Sequence, residues 1–569
     1  MDLEQDRQEH LDKILNSEAS KKLIVAGPGT GKTYTFGKVL KKTGGENNIA
    51  MTFIRRLVED MATELSEHAK IYTFHKYCKM TLHQQLGSFT LLPYLPIIIE
   101  SDATILGFGY NCFPDKFQLL QTDCPDVEFY MSRSNYYSAI SFDDCVFRLL
   151  CDAREKDDVL PHFDLLVVDE FQDFNPLEVA LIDQLEMKGN VLIVGDDDQS
   201  VYASLRNASP KYLRNKFSSG EYETFNLPYC SRCTEVIVNA SKSIVANAKR
   251  GGRFRKSIEK PFECYLPDKK VDSESYPTIK TLRCTVLSVV SSYIANSIDY
   301  IREDDVIESN QPNNTYYTVL VVGPHYCLRE VAKTLTKKFR RVIYKSPGEE
   351  TVLLEDGYIL LSEDVNSNLG WRIILECSEH DFEIKDIMSE SIKGEMLIDI
   401  LNQEFIDSHK KALDILGKIS EGIELDPFED RFLSDLLNSD HDRVVEYFSP
   451  KENEDDLEYD VTEPTICLTT YVGSKGLSAG HVFIIGLNEG DLPKDNNDLS
   501  DEEISRFLVS LTRTRKQCHL IANKWLNAPF GRKGFIQPKN RSRFINWIPN
   551  NLLTDFGDIS AKQVKRLFN

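Results

Sequence analysis

The chain has 569 residues, 41% of them hydrophobic and 27% charged, which is typical of a globular protein and excludes a wholly disordered, fibrous or membrane-embedded chain. Its length predicts roughly three to four domains. Because Lys and Arg number 67 and Asp and Glu 89, the formal net charge is −22 at pH 7, which argues against non-specific coating of nucleic acid or anionic membrane but permits a locally basic groove.

The N-terminus is charged and lacks the apolar core of a signal peptide, and the apolar run at 91–99 is too short to cross a bilayer. The thirteen cysteines are scattered without the spacing of a disulfide framework. Cys230 and Cys233 form a C-x-x-C without a second ligand pair, which favours buried thiols over a zinc site. These features predict a cytoplasmic protein without a membrane partner.

A short apolar strand is predicted at 22–26, followed by a glycine-rich turn and a helix. The turn reads Ala-Gly-Pro-Gly-Thr-Gly-Lys-Thr over 26–33. Glycines let backbone N–H groups close around phosphate oxygens, and the N-terminus of the following helix favours negative charge. In such a loop Lys32 reaches the β and γ phosphates and the Thr33 hydroxyl binds Mg²⁺. The predicted nucleotide-binding residues of the loop are Gly27, Gly29, Thr30, Gly31, Lys32 and Thr33.

Two further apolar strands, predicted at 165–168 and 191–194, end in acidic residues. The first is followed by Asp169 and Glu170, which we expect to hold Mg²⁺ and to act as general base on the attacking water, respectively. Strands alternating with helical stretches imply a parallel sheet with ligands at its C-terminal edge. These residues alone predict an α/β domain that hydrolyses ATP or GTP.

These motifs, together with others along most of the chain, resemble those of superfamily 1 helicases of the UvrD/Rep/PcrA family and occur in the family's order. The matching segments are 26–33, 52–53, 73–75, 141–144, 168–175, 195–202, 229–234, 473–477 with 482–490, and 509–515.

The resemblance implies two RecA-like motor domains with ATP between them and single-stranded DNA, or a partial duplex, as the partner. In such a protein Gln199 senses the γ-phosphate, and Arg232 and Arg513 reach the transferring phosphoryl group from the second domain. Gln8 would read the adenine, and Tyr34 would offer a stacking face beside the P-loop. ATP and Mg²⁺ are the expected cofactors, and movement along DNA is expected to run 3′ to 5′.

A set of aromatic and hydroxyl side chains is expected to contact DNA without reading its sequence, by stacking on bases or by binding phosphates. These residues are Thr52, Phe53, Thr73, Phe74, His75, Tyr202 and Thr470. For Phe53 and Phe74 the alternative is that they are core aromatics that follow strands.

The predicted fold class is α/β, with two RecA-like P-loop motor domains, parallel sheets flanked by helices, and small inserted accessory subdomains. The first motor domain is predicted at 1–80 and 141–226, with a helical insertion at 81–140. The second is predicted at 227–346 and 464–569, with a reduced accessory subdomain at 347–463. That insertion ends in an acidic stretch, 454–460, typical of a solvated linker.

Several positions depart from the family's pattern. Ser231 stands where a tyrosine stacks on adenine, and Leu205 where an aromatic residue stacks on DNA. In motif V, Val472 and Ser478 replace the usual histidine and glutamate. These departures leave the hydrolytic set complete and put its coupling to DNA in question.

Three functions remain open from the sequence. The first is an ATP-dependent DNA translocase or helicase. The second is a DNA-responsive ATPase switch that works with a nuclease or other subunit, as in Gabija-type anti-phage defence, and unwinds little by itself. The third is a P-loop ATPase unrelated to nucleic acid. A strand-displacement assay separates the first two.

Overall fold

The computed structural model describes residues 3–53, 58, 65–344, 351–380, 382–450, 460–494, 498–526 and 538–568. The chain forms two compact units. The first comprises Met1–Tyr77, Leu160–Gly348 and Tyr459–Asn569, and the second comprises Cys78–Val159 and Glu349–Glu458. The acidic stretch predicted to be a linker lies, except for Asp460, outside the described residues.

The strands are numbered in chain order. They are β1 Lys21–Ala26, β2 Ile49–Thr52, β3 Lys70–Thr73, β4 Thr90–Leu91, β5 Ala139–Ile140, β6 Leu165–Val168, β7 Asn190–Gly195, β8 Glu223–Leu227, β9 Tyr229–Cys230, β10 Glu263–Cys264, β11 Ile279–Cys284, β12 Tyr317–Val322, β13 Val342–Tyr344, β14 Ile466–Thr469, β15 Ala479–Ile485, β16 Thr514–Asn523 and β17 Leu553–Ile559.

Two large parallel sheets form the first unit. One has the order β3-β2-β6-β7-β1-β8 and the other the order β13-β14-β12-β15-β16-β11-β17. Every residue of β6 is buried, as expected for a parallel strand covered on both faces. In β12, Leu320 and Val322 join one apolar cluster while Val319 and Val321 join another, so this sheet also has a core on each face.

Helices flank these sheets. They are Leu3–Asn16, Lys32–Thr43, Phe74–Leu86, Pro176–Leu185, Ala203–Arg206, Lys211–Ser218, Glu235–Arg250, Leu266–Ser275, Leu287–Asp299, Glu303–Ser309, His325–Leu335, Asp501–Leu511, Arg543–Asn546 and Ala561–Leu567, of which Phe74–Leu86 continues into the second unit. Two parallel sheets flanked by helices confirm the predicted fold class.

The second unit is mainly helical, with β4 and β5 as a short parallel pair. Its helices are Leu95–Leu106, Phe113–Gln118, Pro125–Tyr136, Phe142–Glu155, Leu354–Glu363, Asn368–Cys377, Ile384–Ile392, Leu397–Ile400, Gln403–Ser420, Pro427–Leu437 and His441–Phe448.

A buried carboxylate links the two chain segments of this second unit. The oxygens of Asp102 lie 2.9 Å from Nε of Arg133 and 2.7 Å from Nε of Arg372, and all three side chains are almost fully buried. A buried charge is tolerated only when it is paired and hydrogen-bonded, and here both conditions hold.

The finer division into domains at the residue boundaries given above stays a prediction. In the part of the chain that the structure describes, no helix is long and apolar enough to cross a bilayer.

Candidate active site

The loop between β1 and the helix Lys32–Thr43 has the backbone geometry of a phosphate cradle. Gly29 and Gly31 have φ of 69° and 84°, in the left-handed region that favours glycine. A Cβ on Gly29 would lie 2.4 Å from Cβ of Arg232, whereas one on Gly31 would meet no atom within 4 Å. The loop is therefore packed against Arg232 at Gly29 and has an open side at Gly31. Thr30 closes the turn, because its hydroxyl donates to the Gly27 carbonyl oxygen at 2.9 Å.

A cavity of about 300 Å³ opens beside this loop and is lined from both sheets. Its lining includes Lys32, Thr33, Asp169, Glu170 and Gln199 from segments that follow strands of the first sheet. Arg513 and Arg515 reach it from the start of β16 in the second sheet, and Arg232 from the turn after β9. The structure thus brings together the predicted phosphate, metal and catalytic side chains around one space. Basic groups surround an acidic pair, and this charge arrangement suits a nucleoside triphosphate bound with a divalent cation.

Asp169 and Glu170 follow β6 directly. Glu170 has φ of 54°, an uncommon backbone conformation for this residue type, and its N–H donates to Oδ1 of Asp169 at 2.9 Å. Burial raises the pKa of Glu170, but the charges of Lys475 and Lys32 outweigh it and leave the pKa below its usual value. Glu170 is therefore ionised, which is the state that a general base must have before it accepts a proton.

Asp169 shows the opposite shift. Burial and the neighbouring charge of Glu170 raise its pKa. A divalent cation held by Asp169 and Thr33 would remove this destabilisation of the carboxylate, because hard oxygen ligands suit Mg²⁺. The donor set thus fits the expected metal.

Lys475 is a site residue to which the sequence analysis assigned no role. Its ammonium pairs with Asp173, lies 3.5 Å from Oε2 of Glu170 and donates to the Gln199 backbone oxygen at 2.9 Å. Only 5% of Lys475 is exposed. The sequence feature that could have identified Lys475 is its position in the Gly-Ser-Lys-Gly-Leu motif, since a lysine taken alone is usually solvated.

Gln199 and Arg513 meet across the cavity. Nη2 of Arg513 donates to Oε1 of Gln199 at 3.1 Å, and Nε2 of Gln199 donates to Asp196. Burial and the nearby charge of Arg232 lower the pKa of Arg513 to about 9. Two neighbouring guanidinium groups in a buried site favour a bound anion, which is how these residues are expected to act on a phosphoryl group.

A second cavity, of about 350 Å³, also reaches the P-loop, at Thr30 and Gly31, and includes Gln8 and Tyr34 in its lining. Tyr34 is 54% exposed, and Nε2 of Gln8 donates to Asp12 at 2.8 Å. Tyr229 and Tyr265 also line this cavity, with ring centroids 6.0 Å apart. This tyrosine pair was not predicted from the sequence, although Tyr229 lies within the segment 229–234.

Three of the residues predicted to contact DNA form an aromatic cluster. The ring centroid of Phe53 lies 5.4 Å from that of Tyr202 and 6.0 Å from that of His75. Arg206, to which no role was assigned, lies over the Phe53 ring at 4.0 Å and pairs with Glu178 at 2.7 Å. Burial and the charge of Arg206 lower the pKa of His75 to about 3, so its ring is neutral.

The other predicted DNA contacts are placed differently. Phe74 is fully buried and its ring packs 5.2 Å from that of Phe174, so it offers no face to a base and matches the core-aromatic alternative. Thr52 is also buried. The hydroxyls of Thr73 and Thr470 accept from the N–H groups of Lys76 and Gly473 at 3.2 and 3.1 Å, and both threonines are half-buried.

Leu205, at the position where the resemblance predicts a stacking aromatic residue, is 61% exposed. Cys230 and Cys233 are both buried, as predicted.

The fold and the site define a P-loop protein built on two parallel α/β sheets. Residues 11–205 match the AAA domain family. Along most of its length the chain is similar to the ATP-dependent DNA helicase Rep of Buchnera aphidicola subsp. Acyrthosiphon pisum, at 24% identity over 87% of this chain and 91% of that protein. It is also similar to the ATP-dependent DNA helicase PcrA of Staphylococcus epidermidis (23% identity, 95% of this chain and 87% of that protein). A probable DNA helicase II homolog of Mycoplasma genitalium matches at 22% identity over 95% of this chain and 86% of that protein.

These similarities agree with the ordered motifs. The relatives that these comparisons name are ATP-dependent DNA helicases, and the motifs of this chain resemble those of UvrD-like helicases of superfamily 1.

Proposed function

We propose that this protein is an ATP-dependent DNA helicase that translocates 3′ to 5′ along single-stranded DNA. The observation that carries the proposal is the cavity of about 300 Å³ in which Lys32 and Glu170 of one sheet's segments face Arg513 of the other's. Arginines from a second domain make hydrolysis depend on how closely the two motor sheets approach each other.

Each residue has a role that its position supports. The open side of the P-loop at Gly31 and the ammonium of Lys32 bind the phosphates, and the base enters the neighbouring cavity that Gln8 and Tyr34 line. Thr33 and Asp169 would hold Mg²⁺, which when bound neutralises phosphate charge. Glu170 accepts the proton of the attacking water, and Arg232 and Arg513 stabilise charge on the transferring phosphoryl group.

The path from nucleotide to DNA is short in sequence. Gln199 contacts Arg513, and three residues later Tyr202 joins the aromatic cluster with Phe53 and His75. A shift of Gln199 on hydrolysis would therefore move a stacking surface. Bases stack on such surfaces without sequence preference, as translocation requires.

The alternative is a DNA-responsive ATPase subunit of a larger assembly, such as an anti-phage complex with a nuclease, which unwinds little by itself. The exposed Leu205 favours it, because an aliphatic side chain there offers no aromatic face for a base.

The test is ATP hydrolysis by the purified protein with and without single-stranded DNA, in the wild type and in Lys32→Ala. The matched control is Lys41→Ala, an exposed lysine on the same helix. We expect DNA-stimulated hydrolysis that Lys32→Ala abolishes and Lys41→Ala retains. Equal rates in folded wild type and Lys32→Ala would refute the assignment. Strand displacement on substrates with 3′ or 5′ tails then separates the two alternatives and tests the polarity.

A further inference from the structure

Three consecutive aspartates follow β7 beside the active site. Asp196, Asp197 and Asp198 are 1%, 1% and 8% exposed, and they offer carboxylate oxygens that lie within 4.8 Å of one another. Buried like charges at this spacing repel each other and favour neutralisation, unless a cation is present.

That cation is Lys260. Its Nζ lies 3.0 Å from Asp196, 2.8 Å from Asp197 and 2.8 Å from Asp198, and 8% of its side chain is exposed. The three carboxylates raise the pKa of Lys260 well above its usual value despite burial. Lys260 lies between the helix Glu235–Arg250 and β10, in a segment distant in sequence from the aspartates.

From Asp196 the contacts lead to catalytic groups. Its Oδ2 accepts from Nε2 of Gln199, whose Oε1 accepts from Arg513 at 3.1 Å, so both ends of the Gln199 amide are fixed. The N–H of Asp196 also donates to Oε1 of Gln172 at 2.9 Å, and Nε2 of Gln172 donates to Glu170.

We propose that Lys260 is a positioning residue for ATP hydrolysis: it holds the Asp196 carboxylate in place and thereby orients the Gln199 amide toward Arg513. This inference rests on the proposed ATPase function. Burial raises the pKa of Asp196, and the charges of Lys260 and Lys32 bring it below its usual value, which keeps the acceptor of Gln199 ionised.

The kinetic test is Lys260→Met. We expect kcat to fall about 10- to 100-fold, the range for residues that orient a catalytic group, while KM for ATP changes by less than about 3-fold because the P-loop is intact. Lys260→Arg keeps the charge and should restore most of the rate. The matched control is Arg214→Ala, which removes another cation from Asp197, 2.8 Å away, but none from Asp196. Its kcat should stay close to that of the wild type.

A double-mutant cycle with Asp196→Asn tests the route. If Lys260 acts through Asp196, the kcat of the double variant equals that of the less active of the two single variants, because the two residues share one path. Wild-type kcat in Lys260→Met, or losses that multiply in the double variant, would overturn the proposal.

A second measurement does not need ATP hydrolysis. In Lys260→Met the three carboxylates lose their ammonium, and Ca²⁺ prefers such clustered oxygen ligands. We expect millimolar Ca²⁺ without nucleotide to raise the melting temperature of Lys260→Met by more than that of the wild type, in which the Lys260 ammonium occupies the cluster. A folded Lys260→Met that responds to Ca²⁺ no more than the wild type would contradict the charge-balancing role. If the wild type hydrolysed no ATP while Lys260→Met still showed this larger response, only the ATPase assignment would be refuted.

Discussion

Two buried ionic clusters in this protein differ in how completely their charges are matched. In the second unit, Asp102 lies between Arg133 and Arg372, and Nη1 of Arg372 also reaches Glu376 at 2.8 Å. Despite burial, the charge of Asp102 raises the pKa of Arg372.

In the candidate active site the positive charges are not matched by carboxylates in this way. Arg513 donates to neutral oxygens of Val509, Leu477 and Gln199, and burial with the charge of Arg232 lowers its pKa to about 9. A cluster whose charges are matched internally stabilises the fold. A cluster with surplus positive charge around a cavity is prepared for an anionic ligand, at some cost in stability.

The largest expected effect concerns this surplus charge. Arg513→Ala should lower kcat for ATP by about 10³-fold or more, because arginines that stabilise the transferring phosphoryl group contribute on that scale. The control is Arg506→Ala, which removes an arginine of the preceding helix that pairs with Glu502. Steady-state ATP hydrolysis measures both, and equal losses in the two variants would remove the distinction.

The cluster around Asp102, whose charges are matched, is expected to contribute to the free energy of unfolding. Asp102→Ala leaves two buried arginines without their carboxylate, so we expect the free energy of unfolding to fall by about 3–5 kcal/mol. Denaturant titration followed by circular dichroism measures the change. Glu330→Ala, which breaks the exposed pair with Lys333, should cost less than about 1 kcal/mol. A loss for Asp102→Ala as small as that of Glu330→Ala would show that the buried cluster is not structural.

The smallest effect is expected at His75. Its pKa falls from 6.5 to about 3 on folding because of burial and Arg206, so the unfolded chain binds a proton more readily than the native protein. The stability from the neutral ring is complete above pH 6.5 and is lost as the pH falls toward 3. At pH 5.5 we expect this linkage to cost about 1 kcal/mol. Unfolding titrations of wild type and His75→Asn at pH 7.5 and 5.5 would show the difference, and parallel losses in both would contradict it.

The fold was predictable because its central strands are continuous apolar runs between turn residues. The strand expected at 165–168 is β6 with the same bounds, and the one expected at 191–194 is the core of β7. The P-loop was predictable for a local reason as well, since glycines with positive φ and the following helix are consecutive in sequence.

The rest depends on which distant segments meet. Lys475 and Lys260 are unremarkable in sequence, and they become site residues only because their segments bring them to the carboxylates of Asp173 and Asp196. In the same way, whether Phe74 packs in the core or faces a base depends on Phe174, a hundred residues later. Residue type and spacing do not encode such contacts.

The most direct test of the central claim is the ATP hydrolysis rate of wild type and Glu170→Gln, each with and without single-stranded DNA. We predict that DNA stimulates the wild type, and that Glu170→Gln binds ATP but turns it over about 10²-fold or more slowly, the scale of a lost general base. A wild-type rate indifferent to DNA, or a folded Glu170→Gln as fast as the wild type, would contradict an ATPase site coupled to DNA.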